Sequence, residues 1–407
     1  MFSGQLPSYH GTHRNSKSFK KSRNESLAGA LSAEGYRTGG FSANPWLCSD
    51  LRFDTGFDHF ESLSGVPPFS DEDTAPDTPI ENLYSTEGIQ NVLSWAFNGN
   101  PVKRFANGFW KRYLDTGPGV KRINKSILEW INEREEEKMF VFANYMDVHD
   151  PHYISRFRRS DIDLPSQSTR FDPTKSPFRA VFSKRVDFMS EPDEPERARR
   201  LYDRAIRRVD EGLRDFFNEL ENTIDLEDSL IVILGDHGEC LGEGDYWGHG
   251  TYLHEKLIRI PLFISPPGGS QPFNGDRPIS ILDVVEYINE VTNSSMESEA
   301  ADAPHAPSNR AIFAETVAPR PNMKERSLLK GFETVIQDGE KLTRNRTTGE
   351  SKLTNVDNGK RRSENSREHL KTLLDDQWMG VDTESETDQD DMISEERRSR
   401  LEDLGYL

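Results

Sequence analysis

The chain is short of cysteine: its 407 residues hold two, Cys48 and Cys240, far apart in sequence. That excludes a disulfide framework and makes two free thiols the expectation. Long apolar runs are also missing. No stretch approaches the roughly 20 residues that a membrane-crossing helix needs, so no membrane span is expected. The segment from Met1 to Arg23 is polar and basic, without the apolar centre of a secretory signal, and a cytoplasmic location is expected. Positive charge is in deficit, with 51 Lys and Arg against 70 Asp and Glu, a formal net charge of −19. Sequence-independent nucleic-acid binding sets cationic side chains against phosphates, so no nucleic-acid partner is expected. A carboxylate surplus suits a solvated surface in a salt-rich cytoplasm. No internal repeat is present.

The chemistry is concentrated in Leu230-Ile231-Val232-Ile233-Leu234-Gly235-Asp236-His237-Gly238-Glu239. The apolar run does not alternate, which predicts a strand covered on both faces, as in a parallel sheet. Open α/β sheets bind ligands beyond the carboxyl ends of their strands, and Asp236 and His237 stand at such an end. A carboxylate and an imidazole between Gly235 and Gly238 can both be turned toward one cation. Gly242-Glu243-Gly244, Gly248-His249-Gly250-Thr251 and His254-Glu255-Lys256-Leu257-Ile258-Arg259-Ile260-Pro261-Leu262 follow in order.

This ordered set resembles the sulfatase family, within the alkaline-phosphatase-like group of metal-dependent ester hydrolases. The resemblance implies an α/β fold: a mostly parallel central sheet sandwiched by helices, with a small α/β C-terminal subdomain. It assigns Asp236 and His237 to one divalent metal. Calcium follows from the family, while the imidazole suits manganese or zinc. His249 falls where the family places a Lys or His beside the ester oxygens, to bind the sulfuryl group or protonate the leaving oxygen. His149, in Asp147-Val148-His149-Asp150-Pro151-His152, matches a histidine that faces the sulfate; His152 is the neighbouring candidate and Lys256 a further substrate contact. Arg259 reads as structural, paired with a carboxylate. Cys240 has no base at motif spacing and reads as an ordinary thiol. The basic runs at Arg14, Lys17, Lys20, Lys21 and Arg23, and at Arg156, Arg158 and Arg159, either steer an anion or are solvated loop charge.

The segment Met1-Phe2-Ser3-Gly4-Gln5-Leu6-Pro7-Ser8-Tyr9-His10-Gly11 resembles the end of the family's signature, with Phe2-Ser3-Gly4 as its closing triplet. The resemblance places the Cys, Ser or Thr nucleophile, and a first strand carrying two Asp ligands, before Met1. The expectation is a truncated, inactive chain with a slot in its sheet; the alternative is a catalytically silent domain that begins at Met1.

Helical periodicity is clearest from Pro195 to Glu221, where Ala198, Leu201, Tyr202, Ala205, Ile206, Val209, Leu213, Phe216, Phe217 and Leu220 share a face. Further helices are expected over residues 26–35, 88–97, 121–134 and 279–291, with strands over 36–43, 138–146 and 257–264. Beyond the linker come strands at 310–317, 327–337 and 341–344 and a helix at 370–374. The domain reading is a sulfatase-like α/β domain over 1–298, a linker over 299–309, a small subdomain over 310–380, and an acidic tail with a terminal docking helix over 381–407.

The function expected is metal-dependent hydrolysis of a small anionic sulfate ester, with carbohydrate among the candidate alcohols. A phosphodiester or phosphonate monoester on the same fold is the alternative. A non-catalytic module that binds sulfated or phosphorylated glycans is the reading from another class.

Overall fold

The computed structural model describes residues 1–13, 16–63, 119–133, 138–149, 194–243, 247–250, 252–269, 272–273, 278–296, 310–317, 330–356 and 364–379. Of the surface loop expected over residues 61–83, residues 61 and 62 end a strand instead, and the part beyond residue 63 lies outside the described residues, as do the helix at 88–97, the linker and the acidic tail.

A short turn of helix, α1 (Pro7–His10), precedes α2 (Leu27–Ala33). Ser26 caps α2 by accepting the Gly29 amide at 3.1 Å. The chain then enters β1 (Arg37–Ser42) and β2 (His59–Ser62). The Asp58 carboxylate ties them together, accepting the Thr38 amide at 3.0 Å and its hydroxyl at 3.1 Å. Next come α3 (Val120–Asn132), β3 (Met139–Asn144), α4 (Glu194–Leu220) and β4 (Ile231–Leu234). Two short strands, β5 (Cys240–Leu241) and β6 (Trp247–Gly248), form a hairpin ahead of α5 (Glu255–Ile258), β7 (Leu262–Ser265) and α6 (Ile281–Thr292). The C-terminal part holds β8 (Ile312–Thr316), β9 (Phe332–Gln337), β10 (Glu340–Asn345), β11 (Ser351–Asn355) and α7 (Glu364–Gln377).

Strands β2, β1 and β3 make a parallel sheet in that order, and β4 pairs antiparallel with β7. Helices cover both faces. On one, Ile123, Ile127 and Ile131 of α3 and Phe216 and Leu220 of α4 pack on Phe41, Val141 and Ala143. On the other, Leu27 and Leu31 of α2 and Val284, Val285 and Ile288 of α6 pack on Phe140, Val232, Leu234 and Leu262. This is the expected α/β sandwich. A third cluster joins Val335, Leu342, Leu370, Leu374 and Trp378 to Leu6 and Leu282, so the antiparallel sheet β11-β10-β9-β8 sits against the rest.

The structure corrects the sequence reading at several points. Residues 257–264 do not form one strand: Leu257 belongs to α5, whose start the His254 ring caps by accepting the Lys256 amide at 3.2 Å. Every residue of β3 and β4 is half-buried, short of the full burial that their unbroken apolar runs predict. Each strand pairs along one edge among the described residues. Ile206, at the margin of the α4 stripe, is exposed. The strands β2, β5, β6 and β11 were not expected.

Candidate functional site

The site begins where β4 ends. The Gly235 amide donates to the Pro261 carbonyl at 3.2 Å, and the Gly238 amide to the Leu257 carbonyl at 2.8 Å. These bonds hold the Asp236–Glu239 turn against α5. A methyl on Gly238 would lie 1.9 Å from the Lys256 carbonyl oxygen, so only glycine allows this approach. Within the turn the Asp236 carboxylate accepts the His237 amide at 2.9 Å, and His237 Nδ1 lies 2.9 Å from the Gly238 carbonyl.

The hairpin register brings the next groups together. Cys240 pairs with Gly248 and Leu241 with Trp247. Extending that register one step sets Glu239 opposite His249. His249 Nδ1 lies 2.8 Å from Glu239 Oε2, with the side chains 16% and 5% exposed. The His249 ring is stacked on His237, centroids 4.3 Å apart, and meets the edge of His149 at 5.1 Å. His149 arrives from the turn after β3, its amide bonded to the Met146 carbonyl at 3.0 Å. Three imidazoles and a buried carboxylate thus gather at the carboxyl ends of β3 and β4.

Four predicted residues therefore converge: His149, His249, His237 and, beside them, Asp236, whose carboxylate is 71% exposed and 3.9 Å from His237 Nε2. Lys256 is on α5, meeting the turn through its backbone, with an exposed side chain. His152 lies outside the described residues, as do Arg156, Arg158 and Arg159. Arg259 is exposed and has no carboxylate partner among the described residues, contrary to the pairing expected. In the first basic run, Lys17 sits 4.2 Å over the Trp46 ring, Lys21 pairs with Glu25 at 3.6 Å and Arg23 with Asp58 at 2.9 Å. Those three charges are engaged locally.

Glu239 was missed by sequence reasoning. Its signal was available: Glu239 and His249 flank the two halves of the Gly-rich hairpin symmetrically. His254 was missed too. Its Nδ1 lies 3.7 Å from Cys240 Sγ, a neighbour that motif spacing did not indicate. The thiol still reads as unreactive, because it is fully buried and burial pushes its pKa up to about 11. Both cysteines are free. On α4, burial and the Glu239 and Asp236 carboxylates raise the Tyr202 phenol above its ordinary value. Burial likewise raises Asp147, two residues before His149.

Asp236 and His237 fit a cation as part of a ligand set: a solvent-facing carboxylate and an imidazole leave the same strand end. Among the described residues no group of three or more His, Cys, Asp or Glu side chains surrounds a common point. No described helix is long and apolar enough to cross a membrane.

The sandwich and the position of this cluster define an alkaline-phosphatase-like α/β fold. A family model described as Sulfatase matches residues 1–294. The chain belongs to the sulfatase family. It is 35% identical over 101 residues to a choline-sulfatase of Rhizobium meliloti (strain 1021), a stretch covering 25% of this chain and 19% of that protein. The chain therefore spans about a fifth of the length of this curated relative. Among solved structures it is similar to a 2-O GAG sulfatase, at a TM-score of 0.58 and 15% identity, covering 93% of this chain and 80% of the other. It is similar to the phosphonate monoester hydrolase of Silicibacter pomeroyi, at a TM-score of 0.57 and 15% identity, covering 94% and 85%.

Proposed function

We propose that these residues form the acid and metal half of a sulfuric ester hydrolase. The observation that carries the reading is the placement of His249 between His149 and His237, with Glu239 behind it, at the sheet's ligand-binding end. In this reading His149 donates a hydrogen bond to an oxygen of the sulfuryl group, and His249 protonates the leaving oxygen as the S–O bond breaks. Asp236 and His237 are proposed ligands of one divalent cation: calcium, manganese or zinc. Such an ion, when bound, supplies positive charge against the ester oxygens. His152 and Lys256 are proposed as outer substrate contacts.

The nucleophile, and the remaining carboxylates for the cation, are proposed to lie outside this cluster. The proposed division is a catalytic domain over 1–298, a linker, and a smaller unit over 310–380. The proposed substrate is a sulfated carbohydrate, in line with the likeness to a GAG sulfatase. The likeness to a phosphonate monoester hydrolase favours a second reading, hydrolysis of a phosphonate or phosphate ester at the same residues.

The test compares the 407-residue form with one extended by the upstream in-frame sequence. Both are assayed on an aryl sulfate and a phosphonate monoester with calcium, manganese or zinc. Metal-dependent sulfate release by the extended form alone is the expected result. Asp236→Ala should then lose both bound metal and activity, because removing an anionic ligand leaves the dehydration of the ion uncompensated. Undiminished metal stoichiometry in that variant would overturn the ligand assignment. Activity on the phosphonate alone would select the second reading, and inactivity of the extended form with retained binding of a sulfated glycan would leave a binding module.

A further inference from the structure

We infer that Glu239 is the positioning residue of His249, holding its imidazole by Nδ1 so that Nε2 is the atom presented to the ester. The catalytic consequence rests on the sulfate-ester reading; the geometry does not.

Three observations converge. First, the 2.8 Å contact joins His249 Nδ1 to Glu239 Oε2, and an ionised carboxylate only accepts hydrogen bonds, so Nδ1 must carry the proton. In the neutral ring Nε2 is then the unprotonated nitrogen; in the charged ring it is the donor left over for a ligand. Second, the ring cannot turn freely. His237 is stacked on one face at 4.3 Å with 30° between planes, and His149 meets it nearly at right angles, at 74°. A flip would replace Nδ1–H by a carbon against a carboxylate whose side chain is 5% exposed. Third, Glu239 Oε1 is buried with no hydrogen-bond partner among the described residues. Leaving a buried carboxylate oxygen unpaired is costly, and neighbouring hairpin packing needs no charge there. A residue serving only to fill space would do so better as Leu or Met. The charge is explained by what it does to the ring.

The arrangement follows from local sequence. Glu239 precedes β5 by one residue and His249 follows β6 by one, so hairpin closure itself forms the pair. The buried end of the dyad faces away from solvent, while Asp236 and His237 occupy its exposed side. A carboxylate holding an imidazole this way resembles the outer partner of a ligand histidine, whose loss lowers activity by about 10–100-fold in other sites.

The test reads the tautomer directly. Protein of 407 residues labelled with 15N-histidine is studied by long-range 1H–15N correlation at a pH where the rings are neutral, with His249→Gln assigning the resonance. The wild-type ring should show the Nδ1–H pattern. Glu239→Gln, whose carboxamide oxygen still accepts, should keep it, and Glu239→Leu should shift the ring toward Nε2–H. An Nε2–H ring in the wild type overturns the inference without needing any variant to fold. So does an unchanged pattern in a folded Glu239→Leu. In the extended protein, Glu239→Leu should lower kcat about 10–100-fold with KM little changed, and Glu239→Gln should recover most of it. Loss of bound metal in Glu239→Gln would instead make Glu239 a ligand and overturn the positioning role. If the tautomer result holds while no sulfate or phosphonate ester is hydrolysed, the reaction assignment fails and the positioning geometry stands.

Discussion

Replacing Gly238 by alanine tests how tightly the site turn is held. Backbone strain is not the issue, because Gly238 does not occupy the left-handed region. The obstacle is the Lys256 carbonyl oxygen, 1.9 Å from where the methyl would stand, with the Lys256 carbonyl carbon at 3.0 Å. Both belong to backbone, so no side chain can swing aside. The turn and α5 must separate by about 1 Å, a displacement that close-packed interiors resist. Overpacking of this kind costs about 1–3 kcal/mol. The Gly238–Leu257 hydrogen bond at 2.8 Å lengthens with it, adding about 1 kcal/mol. The total is about 2–4 kcal/mol, a fall in melting temperature on the order of 5–10 °C. Gly250→Ala is the control. Gly250 has φ 86° and nothing within 4 Å of an added methyl, so only left-handed strain of about 1–2 kcal/mol applies. Thermal melts of both variants, with hydrogen exchange at the residue 238 amide, make the comparison. A Gly238→Ala protein no less stable than Gly250→Ala, with its amide still protected, would refute the argument.

Other consequences follow from particular contacts. Lys341 on β10 reaches the site loop, its buried ammonium donating to the Leu253 carbonyl and to the Glu255 carboxylate at 2.7 Å. Glu255 is 34% exposed, which softens the loss, so Lys341→Met should cost about 1–3 kcal/mol in urea unfolding, with the coupling read from a cycle with Glu255→Gln. His10 is held down to a pKa of about 4, first by burial and then by nearby positive charge. Between that value and the ordinary 6.5 the unfolded chain takes up a proton the native state refuses, so stability should fall as pH drops through this window; His10→Asn should flatten that slope. The bonds from the Arg37 amide to the Lys138 carbonyl and from the Ala43 amide to the Asn144 carbonyl set the phase of the β1–β3 ladder. Amides of Phe140 and Phe142 then face β1 and those of Val141 and Ala143 face away, so the latter pair should exchange hydrogen faster; equal protection would count against an open edge.

Long-period patterns were legible and short-range geometry was not. The stripe from Leu201 to Leu220 identified α4 because a 3.6-residue period repeated over 27 residues leaves little freedom, and Ile206 failed only at the margin of the stripe. The run from Leu257 to Leu262 read as one strand because its apolar residues are nearly continuous. A single turn of helix, capped by His254, carries too few residues to show a period. The strand β11 escaped notice because Ser351-Lys352-Leu353-Thr354-Asn355 offers one apolar residue, which packs in the third cluster. At the site, motif spacing indicated Asp236, His237 and His249. It could not say that His249 would be stacked on His237, since ring contacts depend on the hairpin register. Glu239 was overlooked because a charged residue in a Gly-rich loop reads as solvated surface until pairing buries it.

The half-burial of β3 and β4 has a definite cause. Both strands are apolar without alternation, a pattern that belongs to positions enclosed on all sides. Helices lie over both faces of β3, α3 and α4 at Val141 and Ala143 and α2 and α6 at Phe140, and over the Val232 and Leu234 face of β4. What is left open is the edge, since β3 pairs with β1 and β4 with β7 among the described residues. Phe140 and Val232 share one cluster under the same two helices. Edge strands in soluble proteins are usually short, charged or bulged, because unpaired amides and carbonyls invite pairing. Neither Phe140–Ala143 nor Ile231–Leu234 has such protection. Their composition therefore matches interior strands, although each pairs along one edge among the described residues.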